Sequence, residues 1–436
     1  MKLFLKQNAQ FIFLILTWII AGFISDELAS VIVLLSLMLL KSKNRYSELI
    51  IAFCLILFLA DNRHHHFDFA REIKDIALVL VSAFVLFDKK QFPQKSRLFY
   101  PFTAFLLLSF IMCYRHPTPF LSLQKTISYL LMFAVVPNYF VKILNENAEA
   151  FFRNFILFFA TLIFIGLTMI IWKNDEVYYN GRFNGLLGNP NGAGTYCVVF
   201  SILIASVLFH FPNLLSKTEL FYIGLCIVIT LILCSSRNAI FSILIFLFFK
   251  RFYKISSIIG FVIVIISVLL FQILSQYLPQ IISSLGLGSY LRIKHLDDGS
   301  GRLIAWSFGW REIQNNFLFG RGFAYEEYFF DINKEALSEE GHQGGIHNAF
   351  LAVWMNTGLA GLILFLVAWF RIFFKAAANS YLAIPTLFTL LFANMFESWI
   401  NASLSPYTII ALLIITTLQY KKTDGAASQE NTVPVL

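Results

Sequence analysis

The side chains in this sequence best suited to chemistry are a scattered set of arginines and one histidine. Arg237 stands in Ser235-Ser236-Arg237-Asn238 between two apolar runs, Arg302 follows Ser300-Gly301, and His347 precedes Asn348 at the mouth of another apolar run. Arg182 and Asn191 belong to a break rich in glycine and asparagine, Arg321 lies between Gly320 and Gly322, and Arg63 and Arg71 fall in the first polar break. Glu397 sits beside Ser398 and close to Asn401. A guanidinium presents a planar fork that fits two phosphate oxygens at once, whereas a lysine is a point charge. Histidine is the side chain that most readily exchanges a proton near neutrality. Arginines gathered around a histidine therefore suit holding an anionic substrate while a proton moves.

Metal chemistry is not expected. His64, His65 and His66 lie among Asp61 and Asp68, but adjacent histidines diverge, and no cysteine or spaced histidine pair completes a tetrahedral set. The five cysteines, Cys54, Cys113, Cys197, Cys226 and Cys234, fall mostly inside apolar runs without metal spacing and read as small buried side chains. No cofactor is implied.

These residues must be positioned by membrane helices. The chain has 436 residues, 58% of them hydrophobic and 13% charged, and its apolar runs repeatedly approach the length of a membrane span. The fold class is all-α, a polytopic bundle of about 12 to 14 spans. Continuous Leu, Ile, Phe and Val runs exclude a transmembrane barrel, whose strands alternate in polarity. The formal charge of +8 comes from short clusters between apolar runs, which argues against nucleic acid and for a positive-inside topology. With both termini in the cytoplasm, Lys41 to Arg45, Lys89 to Arg97, Lys250-Arg251, Arg371 with Lys375, and Lys421-Lys422 lie inside. The N-terminal run reads as a first span that stays, since no small-residue cleavage site follows it.

The same alternation puts Arg63, Arg71, Arg115, Arg182, Arg237, Arg302 and Arg321 outside. Lysine dominates the inner clusters and arginine the outer breaks, which suggests a bound anion outside. Expected units are 1–275, N-terminal helices; 276–345, a large outer loop or lid; 346–420, C-terminal helices; and 421–436, a disordered tail.

Each candidate also has a plainer role. Asn189 or Asn191 can cap the helix that Pro190 opens, while the same exposed amides, with Arg182, favour an anion. Arg237, at the membrane boundary, faces either a polar cavity or the headgroups. Arg321 fits an exposed turn, and His347 a satisfied helix end. Arg302 precedes an amphipathic helix in which Trp306 reads as an interfacial anchor. Arg63 and Arg71 suit either glycan contacts or a solvated rim.

The ordered set resembles the O-antigen ligase and polymerase superfamily of bacterial membrane glycosyltransferases. The resemblance rests on Gly181-Arg182-Phe183 with Gly188-Asn189-Pro190-Asn191, on Ser236-Arg237, on Ser300-Gly301-Arg302 with Trp306, on Gly320-Arg321-Gly322-Phe323, and on His347-Asn348 with Gly358 and Gly361. It is clearest from about 180 to 365. It implies a metal-independent GT-C-like fold in the inner membrane, with arginines engaging the pyrophosphate of an undecaprenyl-linked glycan and a required histidine after the periplasmic loop. That histidine would be His347, and Arg237 and Arg302 match the arginine-bearing segments best. Substrate contacts would then come from Arg182, Asn191, Arg321, Asn348, Glu397, Arg63 and Arg71.

Such a reaction expels an already acidic leaving group, so charge stabilisation matters more than a general acid. His347 is expected to take the acceptor's proton or orient it, with Glu397 orienting His347 or binding the acceptor. The acceptor is a lipid A core in a ligase, or a second lipid-linked repeat in a polymerase. A flippase for the same lipids is the rival from another class; it predicts polar residues at mid-membrane depth and repeated halves.

Overall fold

A computed structural model describes residues 8–256, 258–260, 262, 284, 302–342 and 344–421. Ser300 and Gly301, the end of the expected N-terminal helical unit, the first part of the expected lid and the expected tail from 422 lie outside the described residues.

The architecture is all-α, with a single two-stranded hairpin, Tyr178–Tyr179 against Arg182–Phe183, among the described residues. Among the described residues, four helical stretches are long and apolar enough to cross a membrane: Pro119–Trp172, which joins two helices, Pro190–His210, Lys217–Cys234 and Ala349–Ala377. Shorter apolar helices, Ala9–Ile24, Tyr46–Ala60, Ala383–Asn394 and Pro406–Gln419 among them, run to 10–17 residues. At about 1.5 Å per residue such helices fall short of a hydrocarbon core of about 30 Å. Several apolar runs that read as spans in the sequence are thus shorter helices completed by polar turns.

The Pro406–Gln419 helix is buried from Pro406 to Leu418, and Tyr46–Ala60 is buried from Leu49 to Leu59. Helices apolar on every face belong inside a bundle. Around them, Ala9–Ile24 and Lys217–Cys234 turn Phe13, Ile20, Phe221 and Tyr222 outward, as surfaces meeting lipid would.

Caps define the helix starts. Asn189 accepts from the Gly192 amide at 2.8 Å with Pro190 in the first turn, Ser216 and Glu219 form a reciprocal capping box, and Ser405 accepts from the Tyr407 amide. One consequence is that polar loops gather at the ends of the bundle.

The segment expected to form the lid enters the bundle through a broken helix. Within Ala349–Ala377, Gly358 has φ 72° and ψ −178°, so the helical hydrogen bonding is interrupted there. Backbone of the 317–322 segment fills the break: Leu359 N donates to Phe317 O at 2.9 Å, Ala360 N to Leu318 O, Arg321 N to Met355 O, and Gly322 N to Asn356 O at 2.8 Å. A Cβ at residue 358 would stand 2.2 Å from the Leu318 oxygen. Glycine is required both by the positive φ and by this approach. The remaining lid helices, Arg302–Asn315, Tyr325–Ile332 and Lys334–Glu339, pack over the first half of the broken helix through Ala305, Ile313, Tyr325, Phe330, Leu337, Ile346, Ala352 and Met355.

Candidate active site

His347 is presented by the turn between the lid and the Ala349–Ala377 helix. Its backbone is left-handed, φ 46°, and the next residue caps the helix, Asn348 Oδ1 accepting from Phe350 N and Leu351 N. Trp306, expected as a membrane anchor, is used inward: its indole donates to the carbonyl of Ile346 at 3.0 Å. The buried His342 ring stands edge-on to His347 at 6.1 Å. His347 is thereby held from both sides of the chain.

Glu397 reaches this histidine from a distant segment. One carboxylate oxygen accepts from Arg302 Nη2 at 2.9 Å and the other lies 3.6 Å from His347 Nδ1. Side-chain exposure is 19% for Arg302, 17% for Glu397 and 37% for His347, so the histidine is the accessible member. Gly344 lies beside its other nitrogen; a Cβ there would be 3.0 Å from Nε2. Nδ1 is the ring nitrogen nearer the carboxylate, and Nε2 is the one beside Gly344. Arg302 also lies over the Phe396 ring at 5.9 Å.

Arg237 opens the Arg237–Ile255 helix after an extended Ser236 and, before it, a left-handed Ser235. That turn is fixed on one side by Arg182, whose Nε donates to Cys234 O at 2.9 Å and whose Nη2 donates to Asn191 Oδ1 at 2.9 Å and to Ser235 O at 3.4 Å. On the other side Asn238 Nδ2 donates to Ala393 O at 2.9 Å, four residues before Glu397. A chain of contacts thus joins Asn191, Arg182, the Arg237 turn and the Glu397 segment at one end of the bundle.

Other expected contacts have structural partners. Arg71 donates to Asn62 O at 2.6 Å and to Asp68 at 3.1 Å, tying down the first polar break. Arg63 lies over the Tyr179 ring at 4.2 Å, and Arg321 lies over Tyr325 with Glu312 at 3.7 Å. Arg63 and Arg71 thus make contacts with the hairpin and within the first polar break. No group of three potential metal ligands occurs among the described residues.

Two buried polar clusters at this end carry no special sequence signal. Asp61 accepts from Tyr407 OH at 3.0 Å and Gly188 N at 3.3 Å, pinning the loop before Pro190; burial raises its carboxyl above the ordinary value while those donors oppose the shift. In the lid, Glu326 is only 9% exposed, its amide donates to Asn356 Oδ1 at 3.0 Å, and its Oε1 accepts from Asn401 Nδ2 at 3.2 Å. Burial, aided by the charge of Glu327, pushes Glu326 up to about 8. In sequence, Glu326 and Glu327 look alike. Only the tertiary contacts separate them.

Residues 221–366 match the family model described as O-antigen ligase. This segment of the chain is similar to the O-antigen ligase family. No curated protein matches the chain. The matched segment contains Arg237, Arg302, Arg321, His347 and the Gly358 break, while Arg182, Asn191 and Glu397 fall outside it. The similarity over this segment, together with the apolar helices, supports a membrane enzyme of the O-antigen ligase or polymerase type in general.

Proposed function

We propose that the chain transfers a glycan from undecaprenyl pyrophosphate to an acceptor on the periplasmic face of a bacterial inner membrane, without a metal, with a ligase reaction onto a lipid A core type acceptor preferred. The observation that carries this reading is the Glu397 carboxylate set between Arg302 and His347. His347 Nε2 takes the proton of the acceptor hydroxyl as that oxygen bonds to the anomeric carbon. The bond from that carbon to the pyrophosphate oxygen breaks, and polyprenyl pyrophosphate departs with the electron pair. Direct attack inverts the anomeric centre. Arg302 and Arg237 stabilise the departing charge, and Glu397 holds the tautomer that leaves Nε2 as the acceptor.

A polymerase would use the same chemistry with a second lipid-linked repeat as acceptor. A flippase reading draws on the broken helix at Gly358, but lid backbone fills that break. The test is a reconstituted reaction with lipid-linked repeats, with and without a lipid A core acceptor. A single glycan adduct on the acceptor supports the ligase, and a ladder from repeats alone supports the polymerase. Movement of the lipid across the bilayer without a new glycosidic bond would sink both.

A further inference from the structure

The end of the bundle opposite His347 holds a basic cavity that the transfer chemistry does not use. It has a volume of about 440 Å³ and is lined by Arg97, Tyr100, Pro101, Arg371, Ile372, Lys375 and Gln419. His347 stands just before Ala349, and Lys375 lies near the other end of the Ala349–Ala377 helix. The Ala349–Ala377 helix runs between the two places, and none of Arg302, His347 and Glu397 lines the cavity. The cavity is not part of the candidate active site.

Its charge is unbalanced. Arg371 and Lys375 are spaced four apart, which turns both cations to one helix face, where they repel. A helix C-terminus tolerates cations through its dipole, which accounts for Lys375 in the last turn but not for Arg371 or for Arg97, brought in from the separate segment before Thr103. Carboxylates at this end are engaged elsewhere, Asp88 with Lys41 and Glu146 with Lys142. Among the described residues, no carboxylate makes an ion pair with Arg97, Arg371 or Lys375. Gln419 braces the wall, its Nε2 donating to Ile372 O at 3.4 Å and its carbonyl accepting from Asn379 Nδ2 at 3.1 Å. Phe374, between the two cations in sequence, is 62% exposed, and Tyr100 beside the cavity is 68% exposed. Exposed aromatic side chains beside exposed cations are the layout of a site at a membrane boundary, where basic pockets between helices take anionic lipid headgroups.

We propose that this cavity binds a phosphate-bearing anion, with Arg97, Arg371 and Lys375 as its ligands. The source is either an anionic lipid headgroup or soluble phosphate. The experiment places the full chain in detergent and titrates it with phosphatidylglycerol, phosphatidylcholine or inorganic phosphate, reading bound ligand by native mass spectrometry and melting temperature. Wild type is expected to prefer phosphatidylglycerol over phosphatidylcholine. The triple variant Arg97→Gln, Arg371→Gln, Lys375→Gln should lose at least about tenfold in anion affinity, from roughly fivefold per cation near a membrane surface. Inorganic phosphate that competes with the lipid identifies a soluble source; phosphatidylglycerol retained in the presence of excess phosphate identifies the headgroup. The Arg97→Lys, Arg371→Lys variant keeps the charge and should keep most binding, which separates ligand loss from misfolding. Equal weakening by Lys89→Gln, Lys90→Gln would show diffuse attraction to the basic rim and overturn the assignment. So would anion binding by the triple variant at wild-type strength.

Discussion

Glu397 Oε2 stands 3.6 Å from His347 Nδ1 while Oε1 of the same carboxylate accepts from Arg302 at 2.9 Å. One side chain therefore couples the proposed base to a proposed anion clamp. His347→Ala should lower the turnover number about 10²- to 10⁴-fold with donor affinity little changed, because a positioned base contributes on that scale. Glu397→Gln should lower it about 10- to 100-fold, by analogy with the loss of a histidine's orienting carboxylate. Steady-state transfer with purified protein measures both. A wild-type rate in either variant removes that residue from the site.

The Gly358 break makes a second prediction. Gly358→Ala forces a Cβ against the Leu318 carbonyl and a non-glycine residue into a left-handed conformation. The cost should be about 1–3 kcal/mol from backbone strain alone, with the steric conflict added. A lowered melting temperature and faster proteolysis of the lid between 302 and 342 would report it. The stability of Gly224→Ala, where nothing stands within 4 Å of the added carbon, provides the comparison.

Glu326 makes stability depend on pH. Its folded value of about 8 is raised above the ordinary 4.5. Below pH 4.5 both folded and unfolded chains hold the proton and no penalty exists. Between 4.5 and about 8 the unfolded chain ionises first, so this group makes stability fall as pH rises, and the loss levels off above about 8. Glu326→Gln should flatten that slope and be more stable than wild type at high pH, with the gap closing near the lower limit. Thermal melts across the range measure the difference; an unchanged slope would remove Glu326 as its source.

Tyr407→Phe deletes the hydroxyl that donates to Asp61 at 3.0 Å. The partly unsatisfied carboxylate should cost about 1–3 kcal/mol. Because Asp61 also holds Gly188, ahead of Asn189 and Asn191, transfer should fall together with thermal stability. A stability loss with full activity would detach this anchor from the Arg182 turn.

Much of the architecture was legible in the chain because its signals are local. Apolar run length marks the helices, Asn189 before Pro190 marks a helix start, and the ordered Arg237, Arg302 and His347 mark the region worth attention. Partners across long separations were not legible. Arg71, a candidate by residue type, is tied to Asn62 and Asp68, and Asn348 has its carbonyl oxygen committed to a helix start. Glu326 reads as part of an acidic soluble turn, yet Asn356 and Asn401 receive it in the interior while Glu327 remains 54% exposed.

What the sequence by itself determined is a polytopic helical membrane protein with arginines in its polar breaks and a histidine behind a glycine-rich lid, since hydropathy and residue type act within a few turns of chain. Tertiary structure alone decided that Glu397 meets both Arg302 and His347, that the lid is threaded into the broken helix at Gly358, and that Arg97 joins Arg371 and Lys375. Those relationships depend on which faces of separate helices meet, and a rotation of about 100° between successive helical residues is enough to redirect a side chain from lipid to core.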